Sequence, residues 1–81
     1  MKFLYSARFL KQYGAAPAPV QKAFDKQLKL LLENFRHPSL QAKKYDEAND
    51  IWQGRVNLDW RFYFTIDGDV YHFHTIIPHP K

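Results

Sequence analysis

The sequence predicts an α+β fold in which two helices cover one face of an antiparallel sheet. Three observations lead to this prediction: helical spacing of apolar residues in the first half, alternating spacing in the second half, and a turn signal at Asp67-Gly68. The 81 residues are 46% hydrophobic and 17% aromatic, which is enough for one core. We therefore expect a single domain over residues 1–81 with the element order β-α-α-β-β-β.

The first half of the chain is predicted to form a short strand and a helical hairpin. Residues 2–5 form an apolar run typical of a strand, and Ser6 is a favourable N-cap for a short helix that ends at Gly14. Pro19 suits the first turn of a second helix, which Pro38 ends. Apolar residues recur at helical spacing along it: Val20, Phe24, Leu28, Leu31, Leu32 and Phe35.

The second half is predicted to contain a polar loop and three strands. Residues 39–50 show no periodicity, and we expect a loop there with room for a short extended piece around Lys43–Tyr45. Strands follow over residues 51–58, 60–66 and 70–77. Gly68 accepts the positive φ that a tight turn between the last two strands requires. These strands form an antiparallel meander.

Alternation divides each strand into a face that the helices cover and a face that stays open. The apolar side chains, among them Phe62, Leu58 and Ile77, are assigned to the helix side, whereas Ile76 falls on the open side. The open face then presents Gln53, Arg55, Arg61, Tyr63, His72 and His74. Guanidinium groups suit phosphates and rings suit base stacking, so this face is a candidate RNA-binding surface. The simpler interpretation is a solvated face on which the arginines pair with Asp50 or Asp59.

Charge and composition narrow the classes of function. The net charge is +4, and residues 1–40 carry seven basic side chains against two acidic ones, which suits a polyanion or an acidic protein partner. The absence of cysteine excludes disulfides and thiolate chemistry. No apolar run is long enough to span a bilayer and no secretory leader is evident, so we expect a cytoplasmic protein without membrane contact. His72 and His74 share a strand face, but no third ligand is evident, and we predict neither a metal nor another cofactor.

His79 is the candidate for acid–base chemistry. It stands between Pro78 and Pro80, which restrict its backbone. An imidazole held beside an arginine-rich face can give or take a proton near neutral pH. No glycine-rich phosphate loop, nucleophile elbow or carboxylate pair accompanies it. A metal-free cleavage of RNA requires none of them, because the 2′-hydroxyl of RNA supplies the nucleophile.

The segment from Ile51 to Phe64, IWQGRVNLDWRFYF, followed by DGDVY and a last strand that ends in His79, resembles the RelE/ParE toxin superfamily of bacterial toxin–antitoxin systems. The resemblance extends over essentially the whole chain. It implies an endoribonuclease of the RelE- and YoeB-like branch, which cuts mRNA in the ribosomal A site and leaves a 2′,3′-cyclic phosphate. The implied partners are a cognate antitoxin, mRNA and the ribosome. Two alternatives remain open: a ParE-like toxin that inhibits DNA gyrase without nuclease chemistry, and an inactive relative.

The same resemblance implies roles for individual residues. Arg61 matches an arginine expected to hold the scissile phosphate, Arg55 matches a basic position one strand earlier, and His79 matches a C-terminal histidine that YoeB-like enzymes use as a general acid. Pro80 replaces the tyrosine that often follows this histidine, and Glu47 is the nearest candidate for a general base. The predicted RNA-binding residues are Lys43, Lys44, Tyr63, His72, His74 and Lys81.

Overall fold

The protein is built on one five-stranded mixed sheet, and its computed structural model describes residues 2–79. The elements are β1 (Lys2–Tyr5), α1 (Ala7–Ala15), α2 (Ala18–Glu33), a 3-10 turn (Pro38–Leu40), β2 (Lys43–Asp46), β3 (Ile51–Arg55), β4 (Trp60–Asp67) and β5 (Val70–Pro78). The strand order is β1-β5-β4-β3-β2; β1 runs parallel to β5 and all other neighbours are antiparallel. The predicted α+β class is confirmed, and no helix within residues 2–79 has the length and apolar character needed to cross a bilayer.

The two helices begin as predicted but end at different residues. The Ser6 hydroxyl accepts a hydrogen bond from the Phe9 amide at 3.0 Å, which caps α1. Gly14 lies inside α1 and does not end it; α1 stops at Ala15, because Ala16 precedes Pro17 and takes an extended conformation. α2 ends at Glu33, short of its predicted end at Pro38.

The core lies between the helices and one face of the sheet, and phenylalanine is its most frequent residue. Phe24 of α2 contacts Phe62 of β4 and Phe73 of β5, with ring centroids 5.3 and 5.7 Å apart and nearly perpendicular planes. Phe9 of α1 packs against Phe24 at 5.3 Å. Edge-to-face contacts of this kind add to the stabilisation from burial. The assignment of Phe24 and Phe62 to the core is therefore confirmed.

A β-bulge in β5 changes which residues face the core. Tyr63 pairs with Thr75 whereas Phe64 pairs with Phe73, so His74 has no opposite residue on β4. One extra residue reverses the alternation beyond it. As a result Ile76 is buried at 1% exposure and Ile77 turns to the other face, so the predicted facing of these two residues is wrong.

The connection between β3 and β4 is a turn rather than a continuation of the strand. β3 ends at Arg55, and the Asn57 side-chain oxygen accepts hydrogen bonds from the amides of Asp59 and Trp60 at 2.8 and 2.9 Å. Leu58 is 75% exposed at the tip of this turn. Its predicted place on the helix-covered face of a longer strand is therefore wrong.

A second side-chain-capped turn joins β2 to β3. The extended piece expected around Lys43–Tyr45 is present as β2, which ends at Asp46. The Asp46 carboxylate accepts hydrogen bonds from the Asn49 side chain at 2.8 Å and from the amides of Asn49 and Ala48 at 3.2 and 3.0 Å. These bonds, that of the Asn49 side chain first, lower the pKa of Asp46 below its usual value.

Candidate nucleic-acid interface

The face of the sheet opposite the core carries most of the residues singled out in the sequence. Gln53 lies opposite Tyr63, Arg55 opposite Arg61, and Thr65 opposite His72. We call this surface the polar face; it comprises Gln53, Arg55, Arg61, Tyr63, Thr65, His72 and His74. The prediction that Gln53, Arg55, Arg61, Tyr63, His72 and His74 share a face is confirmed. The centre of the polar face is nevertheless inaccessible, because Gln53 and Tyr63 are buried. Nε2 of Gln53 donates a hydrogen bond of 2.8 Å to the Tyr63 hydroxyl.

Arg55 and Arg61 form a cross-strand pair of like charge at one end of the polar face. Both side chains are half-buried. Nη1 of Arg61 donates to the carbonyl oxygens of Asn57 and Trp60 at 2.6 and 2.9 Å, which fixes the guanidinium against the β3–β4 turn. Neither arginine is in an ion pair with another residue of the described part of the chain, so the predicted pairing with an aspartate is not observed there.

Asp50, one of the two expected partners, is engaged elsewhere. Its carboxylate lies 3.0 Å from Lys44 Nζ. Like charges directly opposite each other on neighbouring strands destabilise a sheet unless something neutralises them. An anion bound by Arg55 and Arg61 would neutralise this repulsion.

A side chain of α2 links the end of β3 that carries Arg55 to the 3-10 turn. Gln27 is 4% exposed, and its Nε2 donates to the carbonyl oxygens of Arg55 and Ser39 at 2.7 and 2.9 Å. A pocket of about 420 Å³ lies beside Gln27 and Arg55 and is also lined by Lys26 and Asn57. The sequence pattern did not identify Gln27, since an amide among apolar helix residues gives no signal of what it bonds.

His79 lies at the same end of the sheet as the arginine pair. Pro78 pairs with Trp60, Ile77 pairs with Arg61, and the His79 amide donates to the Asp59 carbonyl oxygen at 2.6 Å. This bond places the exposed His79 next to the β3–β4 turn that also holds Arg61. Lys81, predicted to contact RNA, lies outside the described residues.

The bulge in β5 fixes the position of His74. Its Nε2 lies 2.8 Å from the Thr65 hydroxyl, and its carbonyl oxygen accepts a hydrogen bond from the Ser6 hydroxyl at 2.9 Å. Bulges commonly re-aim a side chain in this way near functional sites. Nowhere within residues 2–79 do three His, Asp or Glu side chains come together as metal ligands would.

The fold is similar to that of several bacterial toxins of known structure. The YoeB/ParE toxin from Agrobacterium tumefaciens matches 99% of this chain and 100% of its own, with a TM-score of 0.81 and 12% sequence identity. YafQ from E. coli strain BL21(DE3) matches 96% of this chain and 92% of its own, with a TM-score of 0.79 and 14% identity. The YoeB–YefM toxin–antitoxin complex from Staphylococcus aureus contains a chain that matches 99% of this one and 98% of its own, with a TM-score of 0.78 and 15% identity. This chain has the fold of the RelE/ParE toxins.

The resemblance inferred from the sequence is thus confirmed for the fold. No model of a protein family matches the sequence, and no curated protein sequence matches it. The RelE/ParE fold was therefore visible in the sequence only through a short pattern around Trp52, Arg55 and Trp60-Arg61 and through the order of the elements.

Lys43 and Lys44, two of the lysines predicted to bind RNA, lie on opposite sides of the sheet of this RelE/ParE fold. Lys43 is exposed and pairs with Gln53 of the polar face. Lys44 pairs with Trp52, its Nζ lies 4.9 Å from the Trp52 ring centroid, and it is bound to Asp50. The structure therefore places Lys43 near the predicted RNA-binding surface and Lys44 away from it. Glu47 is exposed in the β2–β3 turn.

Two residues that the sequence did not identify line a pocket on the polar face. Arg8 comes from α1, which runs beside β5 and is fixed there by Gln12, whose side-chain oxygen accepts hydrogen bonds from the Thr75 hydroxyl and the Ile76 amide at 2.6 and 3.0 Å. Tyr45 comes from β2 and contacts Tyr63 edge-on. Helical periodicity in α1 does not show which edge of the sheet Arg8 reaches, and the polar surroundings of Tyr45 gave no alternation from which its face could be derived.

Proposed function

We propose that this protein is the toxin of a type II toxin–antitoxin system and that it cuts mRNA on the ribosome. The observation that supports this most strongly is the Arg55–Arg61 pair, two half-buried arginines opposite each other on neighbouring strands, with no carboxylate paired to them within residues 2–79. An arginine pair of this kind fits a phosphate, to which each guanidinium can donate two parallel hydrogen bonds. A RelE/ParE fold around this pair supports the same proposal.

The proposed reaction uses no metal and no other cofactor. The 2′-hydroxyl of the RNA gives its proton to water as its oxygen attacks the adjacent phosphorus, the bond to the 5′-oxygen breaks, and a 2′,3′-cyclic phosphate remains. Arg55 and Arg61 stabilise the charge that builds on the phosphate oxygens, and the fixed position of the Arg61 guanidinium means that little rearrangement is needed when this charge forms. His79, beside the β3–β4 turn, donates the proton that the leaving 5′-oxygen takes up.

The proposed RNA contacts extend from the arginine pair across the polar face. Lys43, Tyr63, His72 and His74 share this side of the sheet, and Lys81 follows His79 in the sequence. Lys44 fits this role less well, because its ammonium group is held by Asp50 on the other side. The proposed partners are mRNA, the ribosome and a cognate antitoxin, and the proposed location is the cytoplasm. YoeB of Staphylococcus aureus, which has the same fold, was solved with its antitoxin YefM.

Two experiments test the proposal. Induced expression should arrest growth, and an antitoxin with an acidic segment that covers the polar face should restore it, because the net charge of +4 favours such a partner. Purified protein should cut the mRNA of a programmed ribosome complex, with the cut site mapped at the new RNA ends.

The outcomes separate this proposal from its alternatives. A protein that leaves ribosome-bound mRNA intact but blocks gyrase supercoiling is a gyrase inhibitor, and the nuclease proposal is then wrong. Normal growth at high expression of folded protein, together with inactivity in both assays, identifies an inactive relative.

A further inference from the structure

A pocket of about 280 Å³ opens on the polar face next to the arginine pair. Ile51 of β3 and Ile77 of β5 are its apolar lining residues. Ile77 is also the residue that pairs with Arg61 across the sheet. The pocket and the proposed phosphate site therefore adjoin each other.

One wall of this pocket consists of two tyrosines. Tyr45 is 63% exposed, and its ring lies 4.9 Å from that of Tyr63, with the two planes at 68°. Tyr63 is 9% exposed and cannot move freely, because its hydroxyl accepts the hydrogen bond from Gln53. The register of β2 shifts between Lys44 and Asp46, and this irregularity turns Tyr45 toward the polar face. The largely exposed Tyr45 ring thus lies beside the fixed Tyr63 ring.

The rim of the pocket is polar and carries positive charge. Arg8 reaches it from α1, and His74 lines it with an imidazole held by Thr65 at 2.8 Å. Thr75 lines it as well, with a hydroxyl that donates to Gln12. No carboxylate of residues 2–79 lines the pocket.

We propose that this pocket binds one unpaired nucleobase of the RNA whose phosphate lies at the arginine pair. The inference rests on the proposed function for the phosphate and adds a site for the base. A nucleotide needs cations for its phosphate and aromatic or apolar surfaces for its base, and here the two environments adjoin. The polar atoms of His74 and Thr75 suit the hydrogen-bonding edge of a base better than they suit an apolar peptide side chain.

The test measures binding in the absence of cleavage. The ligand is a labelled RNA hexanucleotide with a 2′-O-methyl group on every ribose, compared with copies in which one nucleotide at a time lacks its base. Fluorescence anisotropy should show that one abasic position weakens binding to the wild-type protein by about 5- to 150-fold, the range that one base–aromatic stack contributes. Tyr45→Ala should weaken binding of the intact RNA by a similar factor and should lose the preference for intact over abasic RNA.

Two further variants serve as controls. Tyr45→Phe is the conservative variant, which keeps the ring and should retain the preference for the intact base. Leu10→Ala removes an apolar side chain that is also largely exposed, at 55%, from a helix residue that does not line this pocket, and it should bind like the wild type. Thermal melts of all variants verify that each is folded.

The possible results distinguish this inference from the proposed function. If wild-type protein binds intact and abasic RNA equally, or if Tyr45→Ala weakens both equally, the base pocket is wrong even where ribosome-bound mRNA is cut. If base-dependent binding is found but no mRNA is cut, the pocket stands and the nuclease proposal fails. Absence of RNA binding, or base-insensitive binding that a peptide competes away, overturns the pocket.

Discussion

Gly54 of β3 lies against the ring of Phe62, its partner on β4, so closely that a Cβ at position 54 would overlap three atoms of that ring. Phe62 is 1% exposed and packs against Phe24, so its ring has no open space into which it can move. We expect Gly54→Ala to lower the free energy of unfolding by about 1–3 kcal/mol through overpacking. Urea denaturation measures this change.

Gly14 provides the matched control. It lies within α1 and has nothing within 4 Å of an added Cβ. Alanine favours the helix over glycine by about 0.5–1 kcal/mol, so Gly14→Ala should raise stability. A neutral Gly54→Ala variant would show that the Phe62 ring can yield, which contradicts the packing described for it.

The Phe24–Phe62 contact should account for a large share of the core's stability. Both rings are at most 2% exposed and meet edge-on at 5.3 Å. Phe24→Ala and Phe62→Ala should each cost about 3–5 kcal/mol in chemical denaturation, because each leaves a cavity between α2 and the sheet. Leu32→Ala, at an exposed position of the same helix, should change stability by far less. A small effect of either phenylalanine variant would show that the facing of α2 on β4 is wrong.

The acid stability of the protein should depend on Asp46. Hydrogen bonds from Asn49 and Ala48 favour the ionised carboxylate and lower the pKa of Asp46 in the folded state. The resulting stabilisation is fully present above the unfolded pKa of about 3.9 and is lost as the pH falls through the lower folded pKa. Wild-type protein should therefore lose more stability between pH 5 and pH 2 than Asp46→Asn, which cannot titrate at this position. Equal losses, measured as urea midpoints at the two pH values, would show that the Asp46 carboxylate contributes nothing.

Local patterns predicted most of the elements, and long-range pairing accounts for the differences. The Ser6 cap and the turn at Gly68, whose φ is +60°, depend on residues close in sequence and were predicted correctly. The bulge at His74 depends on how β5 aligns with β4, and the apolar pair Ile76-Ile77 fits either facing. The sequence of β5 alone does not determine how this strand aligns with β4.

The difference between local patterns and long-range contacts also explains which features of the candidate site could be predicted. Alternation was sufficient to place Arg55, Arg61 and Tyr63 on one face, because β3 and β4 are regular there. It could not show that the Asn57 and Trp60 carbonyl oxygens hold the Arg61 guanidinium, since the Asn57 side chain shapes that turn. Nor could it bring Arg8 and Tyr45 to the polar face, because one belongs to a helix and the other to an irregular edge strand.

Arg61→Ala should reduce mRNA cleavage by about 10²–10³-fold, which corresponds to about 2.7–4 kcal/mol for one preorganised donor to developing charge. Arg61→Lys should restore only part of the activity, because an ammonium group is a point charge and cannot donate two parallel hydrogen bonds to a phosphate. The measurement is the cleavage rate of a programmed ribosome complex at saturating protein.

The hydrogen bonds from Arg61 to the β3–β4 turn require a control for misfolding, because their loss alone can loosen that turn. Arg36→Ala removes an exposed arginine whose guanidinium lies 5.8 Å from the Phe35 ring, away from the polar face, and it should cut like the wild type. Thermal melts should show Arg61→Lys and Arg36→Ala close to the wild type.

If Arg61→Ala melts normally and still cuts at the wild-type rate, Arg61 does not hold the scissile phosphate. If Arg55→Ala then reduces cleavage in its place, the phosphate lies at the Arg55 side of the pair. Loss of cleavage in Arg36→Ala as well would mean that the assay responds to overall positive charge and not to the geometry of the Arg55–Arg61 pair.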